Sequence, residues 1–229
     1  MPPKPRVQAP KTRAPIEPDN AQRTRRVLYG IAGAGILGVL VVLALFAFGG
    51  SSSADAGTVR TAMEAAGCTL TSAKAVPNTA DHSDVPSPGM VVKAWNTNPP
   101  TTGPHYGQPA IWGAYDEPLE QARVVHNLEH GGVYIQYGDE VPEETVAELR
   151  SFYDGHRNGT LLAPLPSLGK EIALGVWVTP ERAGEGSDRG VGYLAKCTAF
   201  DDAAYSAFFD QFQFKGPERF PPDVLAPGM

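Results

Sequence analysis

The chain is 229 residues long, 42% apolar and of net charge −6, which allows one ordinary domain with additional segments. The charge is unevenly placed: residues 1–26 hold seven basic and two acidic residues, whereas residues 51–229 hold twelve basic and twenty-three acidic. An outer part so acidic excludes nucleic acid as a partner, because phosphate binding needs clustered Lys and Arg, and it favours solubility.

In chain order, residues 1–26 are rich in proline, basic and free of aromatic residues, the composition of a disordered tail. "VLYGIAGAGILGVLVVLALFAF", Val27 to Phe48, is 22 residues without a charge. As a helix it reaches roughly 33 Å, enough for a hydrocarbon core of about 30 Å, and it predicts a single transmembrane span. Ala54-Asp55-Ala56 has the small-x-small form of a signal cleavage site, but the apolar run exceeds the roughly 7–15 residues of a cleaved signal. An anchor is therefore the reading preferred. The basic tail then stays cytoplasmic and the C-terminal part lies outside the cell membrane. "GAGILG", Gly33 to Gly38, matches the dinucleotide pattern G-x-G-x-x-G but no strand precedes it, so the match is accidental. Gly30, Ala34 and Gly38 recur at every fourth position, a spacing that lets two membrane helices approach closely and self-associate.

Residues 49–56 read as a linker and residues 57–229 as one extracytoplasmic domain. "GTVRTAMEAAGC" keeps Val59, Ala62, Met63 and Ala66 at helical spacing and closes on Gly67. A strand through "TLTSAKAV" follows, then a polar Pro-rich loop, then "VVKAW" as a short strand. Asn96 to Pro118 shows neither helical nor strand period and reads as one long loop. Loops of that length are uncommon in compact domains unless functional or disordered, and Trp95, Tyr106, Trp112 and Tyr115 argue for order. Next, Asp116 as cap, Pro118 in the first turn and apolar Leu119, Ala122, Val125 and Leu128 predict a helix that ends at Gly131. "VYIQY" is a strand, "PEETVAELRSFYDGH" a helix, "TLLAP" and "KEIALGVWVTP" strands. "FDDAAYSAFFDQF" is a helix with Tyr205, Phe208, Phe209 and Phe212 on one face. The order predicts an α+β sandwich with helices on a mixed sheet.

The chain has two cysteines, Cys68 and Cys197, both in the outer part, where oxidation is permitted and a disulfide is expected over two free thiols. Without a C-x-x-C, dithiol exchange is not the expected activity. Of the five histidines, His82, His105, His126 and His130 fall in the loop-rich middle, and His156 follows a helix as a solvated residue at its end. "HNLEHGG", His126 to Gly132, fits the H-x-x-E-H form of one class of zinc peptidases, yet this short domain lacks the large two-lobed scaffold with its distal third ligand. On a helix, His126 and His130 leave one face about 6 Å apart and can share an ion. In a hairpin turning at "EHGG" they would lie about 13 Å apart along a strand and could not. Adding His105 and His82 gives three or four imidazoles, a set that suits Zn or Cu. With an open fourth position, Glu129 would serve a metal-dependent hydrolase as catalytic acid or base; with four ligands the site is structural or a store.

The blocks "NTNPPTTGPHYGQPAIWGAY", "VVHNLEHGGVYIQY", "LAPLPSL", "FFDQF" and "GPERFPPDVLAPGM" together resemble the bacterial membrane-anchored family known as domain of unknown function 3105. Its signature runs N-P-P-T-S-G-P-H, then H-N-L-E-H-G, then a closing G-P-E. The resemblance covers Cys68 to the C-terminus; Thr102 stands where the pattern commonly has serine, and the hydroxyl is kept. It implies an anchored, extracytoplasmic topology and places His105, His126, His130 and Glu129 on matching positions, while naming no activity or substrate. Two classes of function follow from the sequence: a domain that binds a transition metal through its histidines, or an envelope module whose loop around Trp95, Tyr106 and Trp112 contacts a protein or cell-wall partner.

Overall fold

The computed structural model describes residues 56–76, 95–179 and 190–229, all within the second of two units into which the chain divides, Ser53–Met229. The expected membrane span, the strand at "VVKAW" up to Ala94, and His82 lie outside the described residues. Among the described residues no helix is long and apolar enough to cross a membrane.

The elements are α1 (Ala56–Ala65), β1 (Cys68–Lys74), β2 (Gly113–Ala114), α2 (Gln121–Glu129), β3 (Val133–Tyr137), α3 (Glu143–Gly155), β4 (Thr160–Pro164), β5 (Ile172–Val178), β6 (Val191–Cys197) and α4 (Asp202–Phe212). Among the described residues six strands form one mixed sheet in the order β1-β6-β5-β3-β4-β2. β1, β6, β5 and β3 run antiparallel to their neighbours, while β3, β4 and β2 are parallel. The parallel β3–β4 step needs a crossover, and α3 supplies it. This is the expected α+β arrangement of helices and a mixed sheet.

Alternation along the strands sorts the core into two faces. Val133, Ile135 and Tyr137 of β3 point to one side, where they meet Met63 of α1, Leu149 and Phe152 of α3, and Tyr205, Phe208, Phe209 and Phe212 of α4. Those four α4 rings are at most 3% exposed, and burial of each contributes about 1.5–3 kcal/mol before ordering costs. Asp201 starts α4 as its N-cap, its carboxylate accepting from the Ala204 N–H at 2.8 Å. Tyr134 of β3 points to the opposite face, with Leu161, Ala173, Trp177 and Leu194, and is covered by Val124, Val125 and Leu128 of α2 and by Trp112. Both faces are covered, so β3 is buried at all five positions, the pattern of a central strand.

Cys68 and Cys197 stand directly opposite each other in the β1–β6 register and are joined, with a separation of 129 residues. The expected disulfide is therefore present, tying the edge strand to the body of the sheet. β6 was not among the expected strands. It carries Gly192 and Lys196, which break a simple apolar alternation, and its burial is mixed.

Two local expectations are corrected. Asp116 does not cap α2: its carboxylate pairs with Arg150 of α3 at 2.5 Å, and the helix begins at Gln121 after Glu120 in extended conformation. The 96–118 segment is irregular for most of its length but pairs as β2 with β4 at Gly113–Ala114. Its order comes from side-chain bonds to backbone. Asn96 Oδ1 accepts from the N–H groups of Thr101 and Thr102, the Thr102 hydroxyl accepts from the Val76 N–H, and Trp95 Nε1–H donates to the Pro104 carbonyl.

Candidate metal centre

α2 ends in a Schellman motif, with the Gly131 N–H bonded to the Leu128 carbonyl and the Gly132 N–H to the Asn127 carbonyl. Gly131 takes φ +90°, which an L side chain rarely adopts, and so it terminates the helix as expected. A Cβ at Gly132 would lie 2.3 Å from the buried indole of Trp112. Leu128 fills the core, and Asn127, fully buried, reaches across to the loop: its Oδ1 accepts from the Ala110 N–H and its Nδ2 donates to the Ala110 carbonyl, both at 2.8 Å. Asn127, Leu128, Gly131 and Gly132 thus each have a separate structural task, and His126 and Glu129 are buried beside them.

The helix places His126 and His130 on one face, as expected, with ring centroids 4.5 Å apart and Nε2 atoms 3.0 Å apart. The hairpin alternative is excluded. His105 arrives from the loop, its ring edge-on to His126 at 5.2 Å and to Trp177 at 6.2 Å. One potential ligand atom from each of His105, His126 and Glu129 lies within 4.8 Å of the others. All three residues are buried, at 0%, 5% and 2% exposure. His130 joins through His126, and its Nε2 is 3.2 Å from Glu218 Oε2. His156 stands apart, stacked on Phe152.

Backbone carbonyls orient both rings. His105 Nδ1 is 2.8 Å from the Gly103 carbonyl and His126 Nδ1 is 2.5 Å from that of Tyr106. A carbonyl only accepts, so each Nδ1 carries a hydrogen and donates it. That leaves Nε2 as the ring nitrogen turned toward the other members of the set, with His126 Nε2 3.0 Å from His130 Nε2. His105 Nε2 sits 2.9 Å from Glu129 Oε2, and because a carboxylate only accepts, a proton on the ring or a metal ion shared by both satisfies that contact. A backbone carbonyl on the far nitrogen is also the arrangement that orients metal-binding histidines and raises their basicity. In a tetrahedral site with bonds of about 2.0–2.1 Å, ligand atoms lie about 3.4 Å apart, so modest side-chain adjustment brings this set to coordination distance.

Tyr134 does not extend the donor set as a phenolate. It lies across Gly175, and full burial pushes its hydroxyl far above the ordinary tyrosine range. Trp112, expected at a partner-binding loop, is 4% exposed within the core. Tyr106 lies under the Arg123 guanidinium, 5.7 Å from the ring centre. A cleft of about 400 Å³ opens elsewhere, between Asp154–Asn158, Gln213, Phe214 and Pro222, and contains none of the clustered ligands.

Glu218, which borders this centre through His130, is a neighbour that the histidine pattern did not reveal. Its N–H donates to the Glu129 carbonyl at 2.9 Å, and a Cβ at Gly216 would lie 2.4 Å from that same oxygen. The signal was the closing G-P-E block, which lies nearly ninety residues from His130 in sequence but against it in the fold.

The structure therefore describes a mixed-sheet α+β domain with a buried histidine–glutamate set of metal-ligand character. Residues 92–223, more than half of the chain, match the model of a family described as a protein of unknown function (DUF3105), and the chain belongs to that family. Neither the curated proteins nor the solved structures provide a match.

Proposed function

We propose that this protein is a membrane-anchored, extracytoplasmic metal-binding module that holds one Zn²⁺ or Cu²⁺ ion through His105 Nε2, His126 Nε2 and Glu129 Oε2, with His130 as the outermost imidazole. One observation carries the reading: two imidazoles and a carboxylate, all buried, bring one ligand atom each to within 4.8 Å of the others, while backbone carbonyls hold the Nδ1 side of both rings. A proton can bridge one pair of such atoms. A metal ion satisfies the whole set at once. The all-nitrogen-and-oxygen donor set suits Zn²⁺ or Cu²⁺ over the thiophilic ions.

Glu129 is 2% exposed and aimed at His105, which supports a ligand role over that of a catalytic acid or base for hydrolysis. Anchoring follows from the uncharged Val27 to Phe48 run and the basic tail before it. Metal analysis and calorimetric titration of the purified full chain test the binding: about one ion per chain is expected, with His105→Ala and His126→Ala each losing it. Wild-type protein that takes up neither Zn²⁺ nor Cu²⁺ refutes the reading.

A further inference from the structure

We propose that His130 and Glu218 form the port through which a divalent metal ion reaches the buried set, Glu218 meeting it at the surface and His130 passing it inward. The proposal rests on the metal reading above. His130 Nε2 faces both ways, 3.0 Å from His126 Nε2 and 3.2 Å from Glu218 Oε2. Side-chain exposure climbs along the same line, from 0% at His105 and 2% at Glu129 to 16% at His130 and 49% at Glu218. A hydrated divalent ion cannot enter an interior that closed with its water shell intact. It has to exchange waters for protein donors in stages, and a carboxylate followed by an imidazole supplies those stages in the right order.

The rim is built, not incidental. The segment 214–219 crosses the C-terminal end of α2 as a strap. The Phe214 N–H donates to the Gly131 carbonyl at 2.7 Å and the Glu218 N–H to the Glu129 carbonyl at 2.9 Å. From β5's end, the Thr179 N–H donates to the Lys215 carbonyl, the Thr179 hydroxyl donates to the Gly216 carbonyl, and the Arg219 guanidinium donates to the Thr179 carbonyl. Gly216 is required for this approach, because a Cβ there would also lie 2.4 Å from the Gly131 nitrogen. Glu218 is therefore held over His130 by bonds that do not involve its own carboxylate. On the outer side the Phe220 ring stands 4.6 Å from the His130 ring. The negative end of the α2 dipole points to the same place and adds to the attraction for a cation.

A port lowers the barrier for entering and leaving alike, so it alters both rates by one factor and leaves the equilibrium nearly unchanged. The test is stopped-flow uptake of Co²⁺, followed by its ligand-field absorption, and chelator-driven release, on the purified full chain stripped of metal. Glu218→Gln is expected to slow both uptake and release at least tenfold while the dissociation constant moves less than threefold, and Glu218→Asp to recover part of the rate. Unchanged thermal melts are expected, because the strap's backbone bonds remain. Uptake by Glu218→Gln at the wild-type rate overturns the port. So does a loss of affinity through faster release, with the dissociation constant rising tenfold at constant uptake rate, since Glu218 is then a ligand of the bound ion. Wild-type protein that binds no metal overturns the metal reading itself, a distinct result.

Discussion

Asn127 offers the sharpest quantitative test of how the site is held. Its amide makes two 2.8 Å bonds to one residue, Ala110, whose side chain is 5% exposed, while Asn127 itself is fully buried. Asn127→Ala leaves both the N–H and the carbonyl of Ala110 without these partners in a place that water reaches poorly. Each such group costs about 1–3 kcal/mol, so the expected loss is roughly 3 kcal/mol and at most about 6. For a protein of this size that lowers Tm by roughly 6–12 °C. Urea unfolding measures the energy, and amide hydrogen exchange at Ala110 reports whether the local bond is what changed. Asn127→Asp separates shape from chemistry, because it keeps the acceptor for the N–H but sets an oxygen against the Ala110 carbonyl; it is expected to be destabilised too. Both variants unfolding within about 0.5 kcal/mol of wild type, with Ala110 exchange unchanged, would refute the assignment of Asn127 as the pin between helix and loop.

Replacing both Cys68 and Cys197 by Ala is expected to cost about 2–5 kcal/mol, the chain-entropy estimate for a 129-residue separation being about 5 kcal/mol; the urea midpoint against wild type, each without reductant, checks it. Thr102→Val removes the acceptor for the Val76 N–H while keeping the shape, and should cost about 1–3 kcal/mol. Thr102→Ser keeps the acceptor and loses only a methyl group, about 1 kcal/mol, so thermal melts should rank serine above valine at this position.

The sequence was most informative where one residue settles a local choice. Gly131 decides that α2 stops, and with the helix established the spacing of His126 and His130 alone places the two rings together. Tyr205, Phe208, Phe209 and Phe212 were legible for the same reason, a period of 3.6 with one apolar face. The 95–112 segment was legible only as aromatic and ordered, because what orders it is Asn96, Thr102 and Asn127 bonding to backbone, and such bonds leave no period. Asp116 misled because a carboxylate before a proline fits a cap equally well as it fits Arg150, and only the packing of α3 chooses. β6 escaped because Gly192 is demanded by a neighbour: a Cβ there would lie 2.0 Å from the Thr101 hydroxyl, so the strand gives up its alternation to admit the loop. Glu218 escaped because nothing local ties residue 218 to residue 130; the strap's backbone does.

The place of the disulfide within its strand also matters mechanically. Cys68 is the first residue of β1, the edge strand that the chain reaches first after residues 1–52, and its partner Cys197 is the last residue of β6. Any pull arriving through the N-terminal segment meets β1 at Cys68 and, without the covalent link, would peel β1 from β6 one pair of hydrogen bonds at a time from that end. The link passes the load straight into a strand paired on both sides. Tension from the N-terminal side is thereby led past the β1–β6 hydrogen bonds and into β6, which pairs with both β1 and β5.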